Sequence, residues 1–168
     1  ENQEATSKLK RVENQLKDSI PSHYKRKNSM KPTFIVMVSL AVISLALMIL
    51  AFTLSISILS FASAGVIIAT AFILIRFSDN RKNIYYFDAV LDFYDSLEGF
   101  ELEPSYRLKT ATCLEKLAVS QINKESTMKI DSLIIELLTI TLESENQKAV
   151  NFIENHKVFK KYIKNEQD

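Results

Sequence analysis

Side chains that commonly perform catalysis are scarce in this chain of 168 residues, which has two histidines, His23 and His156, and one cysteine, Cys113. Nucleophilic catalysis needs a nucleophile beside a base, and zinc sites need Cys or His residues at short, regular spacing. The sequence contains neither pattern, nor a Gly-rich phosphate loop, a nucleophile elbow or an EF-hand loop. It therefore predicts a protein that is not an enzyme and that has no catalytic residue, metal or cofactor.

Each of these three residues has a structural interpretation. Cys113 lies among apolar residues at helical spacing, which favours a small core residue, and a lone cysteine excludes an intrachain disulfide, as is typical of reducing compartments. His156 lies between Asn155 and Lys157 and is predicted to be a solvated helix position. His23 lies in a basic run before the long apolar segment, where contact with a lipid headgroup is at least as plausible as any chemistry.

Three acidic residues, Asp88, Asp92 and Asp95, are spaced three or four apart and therefore share one helical face. Such a face could bind a divalent cation. Without a glycine-containing loop between the ligands, however, it is more typical of a solvated surface or of a partner for Lys or Arg on another subunit.

The elements that position these residues follow from one apolar run, because no charged side chain occurs between Lys31 and Arg76, and residues 33–75 are mostly Ile, Leu, Val, Ala, Phe and Met. One helix of that length would be about 65 Å long, whereas about 20 residues cross a bilayer. The run therefore predicts a hairpin of two crossings, at about 33–52 and 58–77. The turn is expected near 53–57, where Thr and Ser interrupt the apolar series.

The basic residues predict the orientation of this hairpin. Lys and Arg near a crossing stay on the cytoplasmic side, and they flank both crossings but are missing from the turn, so both termini are expected in the cytoplasm of a two-crossing inner-membrane protein. A cleaved signal peptide fits poorly, because 32 polar residues precede the run and its length exceeds an h-region. The cations before the first crossing are Lys25, Arg26, Lys27 and Lys31, and those after the second are Arg76, Arg81 and Lys82.

Outside the hairpin the periodicity predicts helices, giving an all-α membrane protein in three parts: 1–32, an amphipathic helix and basic juxtamembrane segment; 33–77, the hairpin; and 78–168, a cytoplasmic helical domain. The first part has a thin apolar stripe that needs a partner helix or the membrane surface, and Pro21 is expected to end its helix. The tail is predicted to contain four helices. The first continues from the second crossing to Gly99, the next starts at Pro104, the core helix covers 128–142, and the last follows a capping box of Ser144 and Gln147.

The apolar run of residues 133–142 has two weaker interpretations. A third membrane crossing is disfavoured because the run has only ten residues and carries Glu136. A short buried strand is the other alternative, since adjacent isoleucines and Thr-Ile-Thr favour β structure.

Small and hydroxylated residues recur within the crossings, at Ser39, Ser44, Ser60, Ser63 and Gly65. Pairs of small residues four apart let helices approach closely. The sequence allows two interpretations: packing within the hairpin, or packing between subunits around a pore lined by hydroxyls. Two helices cannot enclose a channel, so a conducting form must be an oligomer.

The layout of a basic lead at residues 24–27, an uncharged hairpin and a juxtamembrane helix over 83–97 resembles the small two-transmembrane effectors of prokaryotic antiphage defence. These include membrane proteins of nucleotide-signalling modules and of type III CRISPR loci. The resemblance covers most of the chain as architecture. It implies a homo-oligomer whose cytoplasmic domain senses a signal, often a cyclic oligonucleotide such as a cyclic oligoadenylate, and whose membrane part then permeabilises the membrane.

Such a ligand would need cations for its phosphates and aromatic or amide groups for its bases. Duplex nucleic acid is not an expected partner. Each candidate, taken alone, is a residue type that is common on the exposed surface of a helix. The candidate ligand residues are Arg107, Lys109, Asn151, Asn155, Lys157, Lys160 and Lys161.

Three classes of function remain open. The first is the ligand-gated membrane effector, which predicts toxicity on activation. The second is a membrane anchor or scaffold whose tail docks a protein partner, which predicts cells indifferent to its expression. The third, a hidden hydrolase, requires a catalytic dyad that the sequence does not show.

Overall fold

A computed structural model describes residues 2–55, 57–122 and 127–165, and within these ranges every regular element is a helix. The described chain divides into two compact units, one of residues Tyr24–Lys82 and the other of Glu1–His23 with Asn83–Asp168. We call them the hairpin and the helical domain. The helices are α1 (Asn2–Leu54), α2 (Ser57–Phe100), α3 (Pro104–Ile122), α4 (Thr127–Glu143), α5 (Gln147–Asn155) and α6 (Phe159–Asn165).

The hairpin is formed by the second part of α1 and the first part of α2. The predicted turn is confirmed, because α1 ends at Leu54 and α2 begins at Ser57, and Ser55 has a positive φ of 50°. Both helices are long and apolar enough to cross a membrane, with windows of mean hydropathy 2.9 and 2.5. Only 6% of each window is buried, so the apolar side chains point outward.

The seam between the two hairpin helices has the three-four spacing of left-handed coiled coils. Phe34 and Phe77 contact each other across it, with ring centroids 6.0 Å apart. Most seam positions are only partly buried. The seam positions, of which Ser44 and Ser63 are buried, are these: Met30, Thr33, Met37, Leu40, Ser44, Leu47 and Ala51 on α1, and Leu59, Ser63, Val66, Thr70, Ile73 and Phe77 on α2.

The helical domain includes the first part of α1. Three residues of its predicted apolar stripe, Leu9, Val12 and Leu16, are at most 5% exposed and, with Ala5, belong to one hydrophobic core with residues of α2 to α6. The fourth, Ile20, is partly buried against that core. The thin stripe therefore has a partner within the same chain. Residues 1–23 belong to the compact unit that contains the tail, although some sixty residues separate them from it in sequence.

The prediction that Pro21 ends a helix was wrong, since α1 continues through both Pro21 and Pro32. A proline inside a helix removes one backbone hydrogen bond and costs roughly 3 kcal/mol. Leu16 and His23, on either side of Pro21, are 2% and 4% exposed. Packing on both sides of the proline therefore stabilises a helix that local propensity disfavours.

The first three tail helices follow the predictions. α2 runs without interruption from the hairpin to Phe100, and α3 starts at Pro104. α4 is the core helix, with Ile134 and Leu137 fully buried, so the strand alternative for 133–142 was wrong.

The last predicted helix is divided into α5 and α6, so the described part of the tail has five helices where four were predicted. The capping box was also wrong, because the N-cap residue is Asn146, whose side chain accepts a hydrogen bond from the Ala149 N–H. The Ser144 hydroxyl instead donates to the Thr141 carbonyl, at 2.6 Å. Two alternative caps lie within three residues here, and contact with Phe100, whose carbonyl accepts from Asn146 Nδ2, selects Asn146.

Candidate functional site

Both histidines pair with the acidic face of α2. His23 Nε2 lies 2.8 Å from Asp88 Oδ1, and His156 Nε2 lies 2.9 Å from Asp92 Oδ2. The two aspartates are one helical turn apart, so α2 presents consecutive acceptors to α1 and to the end of α5. Asp95, the third member of the stripe, is exposed.

The predicted surroundings of His23 were wrong. Its ring is stacked on Phe87, with centroids 4.3 Å apart, and it is 4% exposed. The basic run suggested a headgroup contact, but this position falls on the buried stripe of α1. The helical domain therefore uses His23 as an internal contact between α1 and α2.

The prediction of a solvated helix position for His156 was also wrong. Its side chain is 15% exposed and its ring contacts Phe152 and Phe159. His156 Nδ1 accepts a hydrogen bond from the Val158 N–H at 3.2 Å, so the ring proton is on Nε2, which donates to Asp92. The residue thus stabilises the break between α5 and α6, which a purely helical pattern does not indicate.

Tyr86 and Tyr162 both donate hydrogen bonds to Asp131 Oδ1, which links α2, α4 and α6. Burial and the bond to Asp131 raise the pKa of Tyr86 to about 12. The same two causes raise the pKa of Tyr162 far above its usual range. Sequence reasoning missed this network because its members lie on three separate helices.

Cys113 is confirmed as a core residue. It is 1% exposed, and its thiol donates to the Leu133 carbonyl at 3.3 Å. Burial raises the pKa of this thiol to about 12, so the reactive thiolate is suppressed at neutral pH. Among the residues that the structure describes, no group of three or more His, Cys, Asp or Glu side chains could hold a metal ion.

The candidate ligand residues lie in two groups. Arg107 and Lys109 are on α3. Arg107 is paired with Glu98 at 2.9 Å and donates to Thr6 Oγ1 at 3.2 Å, and Lys109 Nζ lies 5.2 Å from the centroid of the Tyr106 ring. An anion at Arg107 would therefore have to displace a carboxylate of the same domain.

The second group lies on α5, on α6 and between them. Lys157, Lys160 and Lys161 are exposed, as are Asn151 and Asn155. The Asn155 Nδ2 atom donates to the Asn151 carbonyl at 2.8 Å, so this amide is engaged in its own helix. This group therefore presents the exposed ammonium groups of three lysines to a ligand.

A polar groove between α3 and α4 was not anticipated. Thr112, Glu115, Lys116 and Lys129 line it. Around it, Lys8 Nζ donates to Thr112 Oγ1 at 2.9 Å, Arg11 lies 3.3 Å from Glu115, and Lys116 lies 3.6 Å from Glu136. Because these cations already have acidic or hydroxyl partners, the groove is close to neutral and has no marked preference for anions. Its lining residues come from two helices, α3 and α4, so no local sequence pattern could reveal it.

The hairpin candidates separate into interior and exterior positions. Ser44 and Ser63 lie within the seam, at 5% and 3% exposure. Ser39, Ser60 and Gly65 face outward, and a Cβ added at Gly65 would meet no atom within 4 Å. Packing within the hairpin therefore accounts for the burial of two of the five residues.

Comparison of this chain with models of known families, with curated proteins and with solved structures gave no match.

Proposed function

We propose that the hairpin crosses a membrane twice. The observation that carries this proposal is the outward orientation of its apolar side chains: Ile43, Ile68 and Phe72 are 49%, 58% and 68% exposed. Water-soluble monomers rarely expose contiguous apolar surface on this scale, and in a bilayer the same surface is solvated favourably. A soluble core helix would instead be mostly buried.

The cations place both ends of the hairpin on the cytoplasmic side in this proposal. Four Lys or Arg residues precede the first crossing closely and three follow the second, with none in residues 33–75 between them. The helical domain, which combines residues from both ends of the chain, requires those ends to lie on one side of the membrane. The positions of the cations and the joining of both chain ends in one domain agree, and this agreement supports a topology with both termini on the cytoplasmic side.

For activity, we infer a homo-oligomeric membrane effector of the antiphage type, whose cytoplasmic domain binds a signal and whose hairpin then permeabilises the inner membrane. Supporting this inference, the two most buried described side chains of the hairpin are serines. Small hydroxylated residues let membrane helices pack closely and form hydrogen bonds between helices, which suits a hairpin that associates with other copies. The candidates for contact with the phosphates of a cyclic oligoadenylate are the exposed lysines Lys157, between α5 and α6, and Lys160 and Lys161 on α6.

A membrane anchor whose domain docks a protein is the second candidate. The pairing of Arg107 with Glu98 favours it, because that pair removes one of the proposed phosphate contacts. In this case the exposed part of the acidic face of α2, around Asp95, is the candidate contact surface.

The deciding experiment records membrane potential in cells that express the full chain, with and without an enzyme that makes cyclic oligoadenylates. The effector predicts depolarisation only when both are present, and loss of the effect in the double variant K160A/K161A. The matched control is K10A/K17A, which removes two exposed lysines of α1. No depolarisation with correct membrane insertion would favour the anchor. Depolarisation unaffected by the nucleotide would instead refute a cyclic oligoadenylate as the signal.

A further inference from the structure

One face of α4 carries apolar side chains that the helical domain does not bury. Among the described residues of this domain, three large apolar side chains that are exposed lie on that face, namely Met128, Ile135 and Leu142, at 81%, 42% and 39% exposure. The exposed residues Ser132 and Thr139 lie between them. We call these five residues the outer face of α4.

The residues of the outer face follow one another at alternating spacings of four and three, which is the repeat by which two α-helices pack along each other. Large apolar side chains alternate along it with the small hydroxylated Ser132 and Thr139. The Thr139 hydroxyl donates to the Ile135 carbonyl at 2.9 Å, so an apolar partner can cover Thr139 without breaking a hydrogen bond. The face therefore fits a helix that places large side chains against its small ones.

A second copy of α4 in antiparallel orientation has this pattern. In such a pair Ile135 of each copy packs against Thr139 of the other, and Leu142 packs against Ser132, so each large side chain meets a small one. A parallel pair would instead place Ser132 on Ser132 and Ile135 on Ile135, which leaves some layers loose and others crowded. Because close packing favours matched volumes, the antiparallel pair is the better fit.

The charges beside the outer face favour the same arrangement. Lys129 and Glu143 are both exposed and flank the face on the same side, two heptads apart. In the antiparallel pair Lys129 of each copy lies beside Glu143 of the other, which gives two attractive contacts. Glu136 lies midway between them and would face Glu136 of the other copy. Each Glu136 is already 3.6 Å from Lys116 of its own α3, which offsets that repulsion.

We propose that the outer face of α4 is the contact surface between two copies of this chain, with their α4 helices packed antiparallel. The evidence is the match of large with small side chains and of Lys129 with Glu143. This contact supplies a surface for the oligomer of the proposed function. It rests on the side chains of the helical domain alone, however, and does not require that the hairpin crosses a membrane.

The first test is disulfide trapping between two differently tagged copies of the full chain. One copy carries I135C and the other T139C, and mild oxidation is expected to join them, because bridged cysteines need Cα atoms about 4.4–6.8 Å apart. The control copies carry S7C and S105C, at exposed positions of α1 and α3, and should stay separate. The native Cys113 is 1% exposed and can remain in place. Trapping no greater than in the control, or I135C joined only to I135C, would overturn the proposal, since neither a lipid surface nor another protein on this face brings residue 135 to residue 139 of a second copy.

A second measurement follows dissociation of labelled full-length copies in detergent by energy transfer. I135E is expected to weaken association at least tenfold, whereas the control Y85E, at a 46% exposed position of α2, should leave it unchanged. K129E and E143K should each weaken association about threefold, as for exposed ion pairs, and K129E/E143K should restore it because the exchanged charges attract again. Equal effects of I135E and Y85E, or no restoration in the double variant, would overturn the contact.

Protease protection of the chain in membranes, measured in parallel, separates this contact from the membrane proposal. Failed insertion with these effects on association refutes the membrane proposal and leaves the α4 contact standing. Correct insertion without them refutes the α4 contact alone.

Discussion

The helical domain and the hairpin bury opposite kinds of side chain. In the domain Phe93, Leu117 and Ile134 are fully buried. Within the described part of residues 24–82, the most buried side chains are two serines, while isoleucines and phenylalanines face outward. Water drives apolar groups inward, and hydrocarbon removes that drive. If the hairpin crosses a membrane as proposed, one continuous helix, α1, meets two solvents along its length.

The largest effect is expected from the core of the domain. Phe93 contacts the rings of Phe100, Phe152 and Phe159 at centroid distances of 5.6–5.9 Å. F93A should lower the free energy of unfolding in detergent by about 3–5 kcal/mol, as measured by chemical denaturation. F72A, at an exposed hairpin position, is the control and should change it little. Equal losses from both would remove the contrast between the two units.

A charge on the outer face of the hairpin should disfavour insertion by about 2.5–3.5 kcal/mol. I68R tests this at the middle of the second predicted crossing, by the fraction of protein that resists alkaline extraction from membranes. Y85R changes an aromatic side chain of the domain with 46% exposure and should leave extraction unchanged. Retention of I68R equal to that of the unsubstituted chain would contradict a lipid-facing position.

The Tyr86 hydroxyl gives the domain a defined response to alkaline pH. Its pKa is 10.0 when exposed and about 12 when folded, so its contribution to stability is complete below pH 10 and is lost as the pH rises to 12. Denaturation midpoints measured from pH 8 to 12 should therefore fall less steeply in Y86F. Y85F, which changes an exposed neighbour, should follow the unsubstituted chain. Identical pH profiles for Y86F and the unsubstituted chain would mean that folding does not raise the pKa of this hydroxyl.

The smallest effect concerns the cap of α5. N146A should destabilise the domain by about 1 kcal/mol, since it removes the acceptor for the Ala149 N–H. S144A removes the residue that the sequence favoured as the cap and should cost less. Unfolding of both variants in one denaturant series decides the order, and a larger loss for S144A would restore the predicted capping box.

Sequence reasoning succeeded where one local signal dominates. The turn near Ser55, the start of α3 at Pro104 and the core helix α4 each follow from composition or period alone. It failed at Pro21, His23 and His156. At each of these positions a distant contact outweighs the local preference, and a neighbour in sequence gives no sign of that contact. The candidate ligand cations remain predictions, although Arg107 already has an acidic partner.

By itself, the sequence determined that the chain is helical, that its middle can cross a membrane twice and that its single cysteine is a core residue. Those properties depend on side-chain type and spacing, which are local. Only the tertiary structure decided that residues 1–23 complete the core of the tail, that both histidines bind aspartates of α2, and that Ser63 is buried without a hydrogen-bond partner among the described residues. These depend on which helices meet, because burial and pairing are set by neighbours far away in the chain.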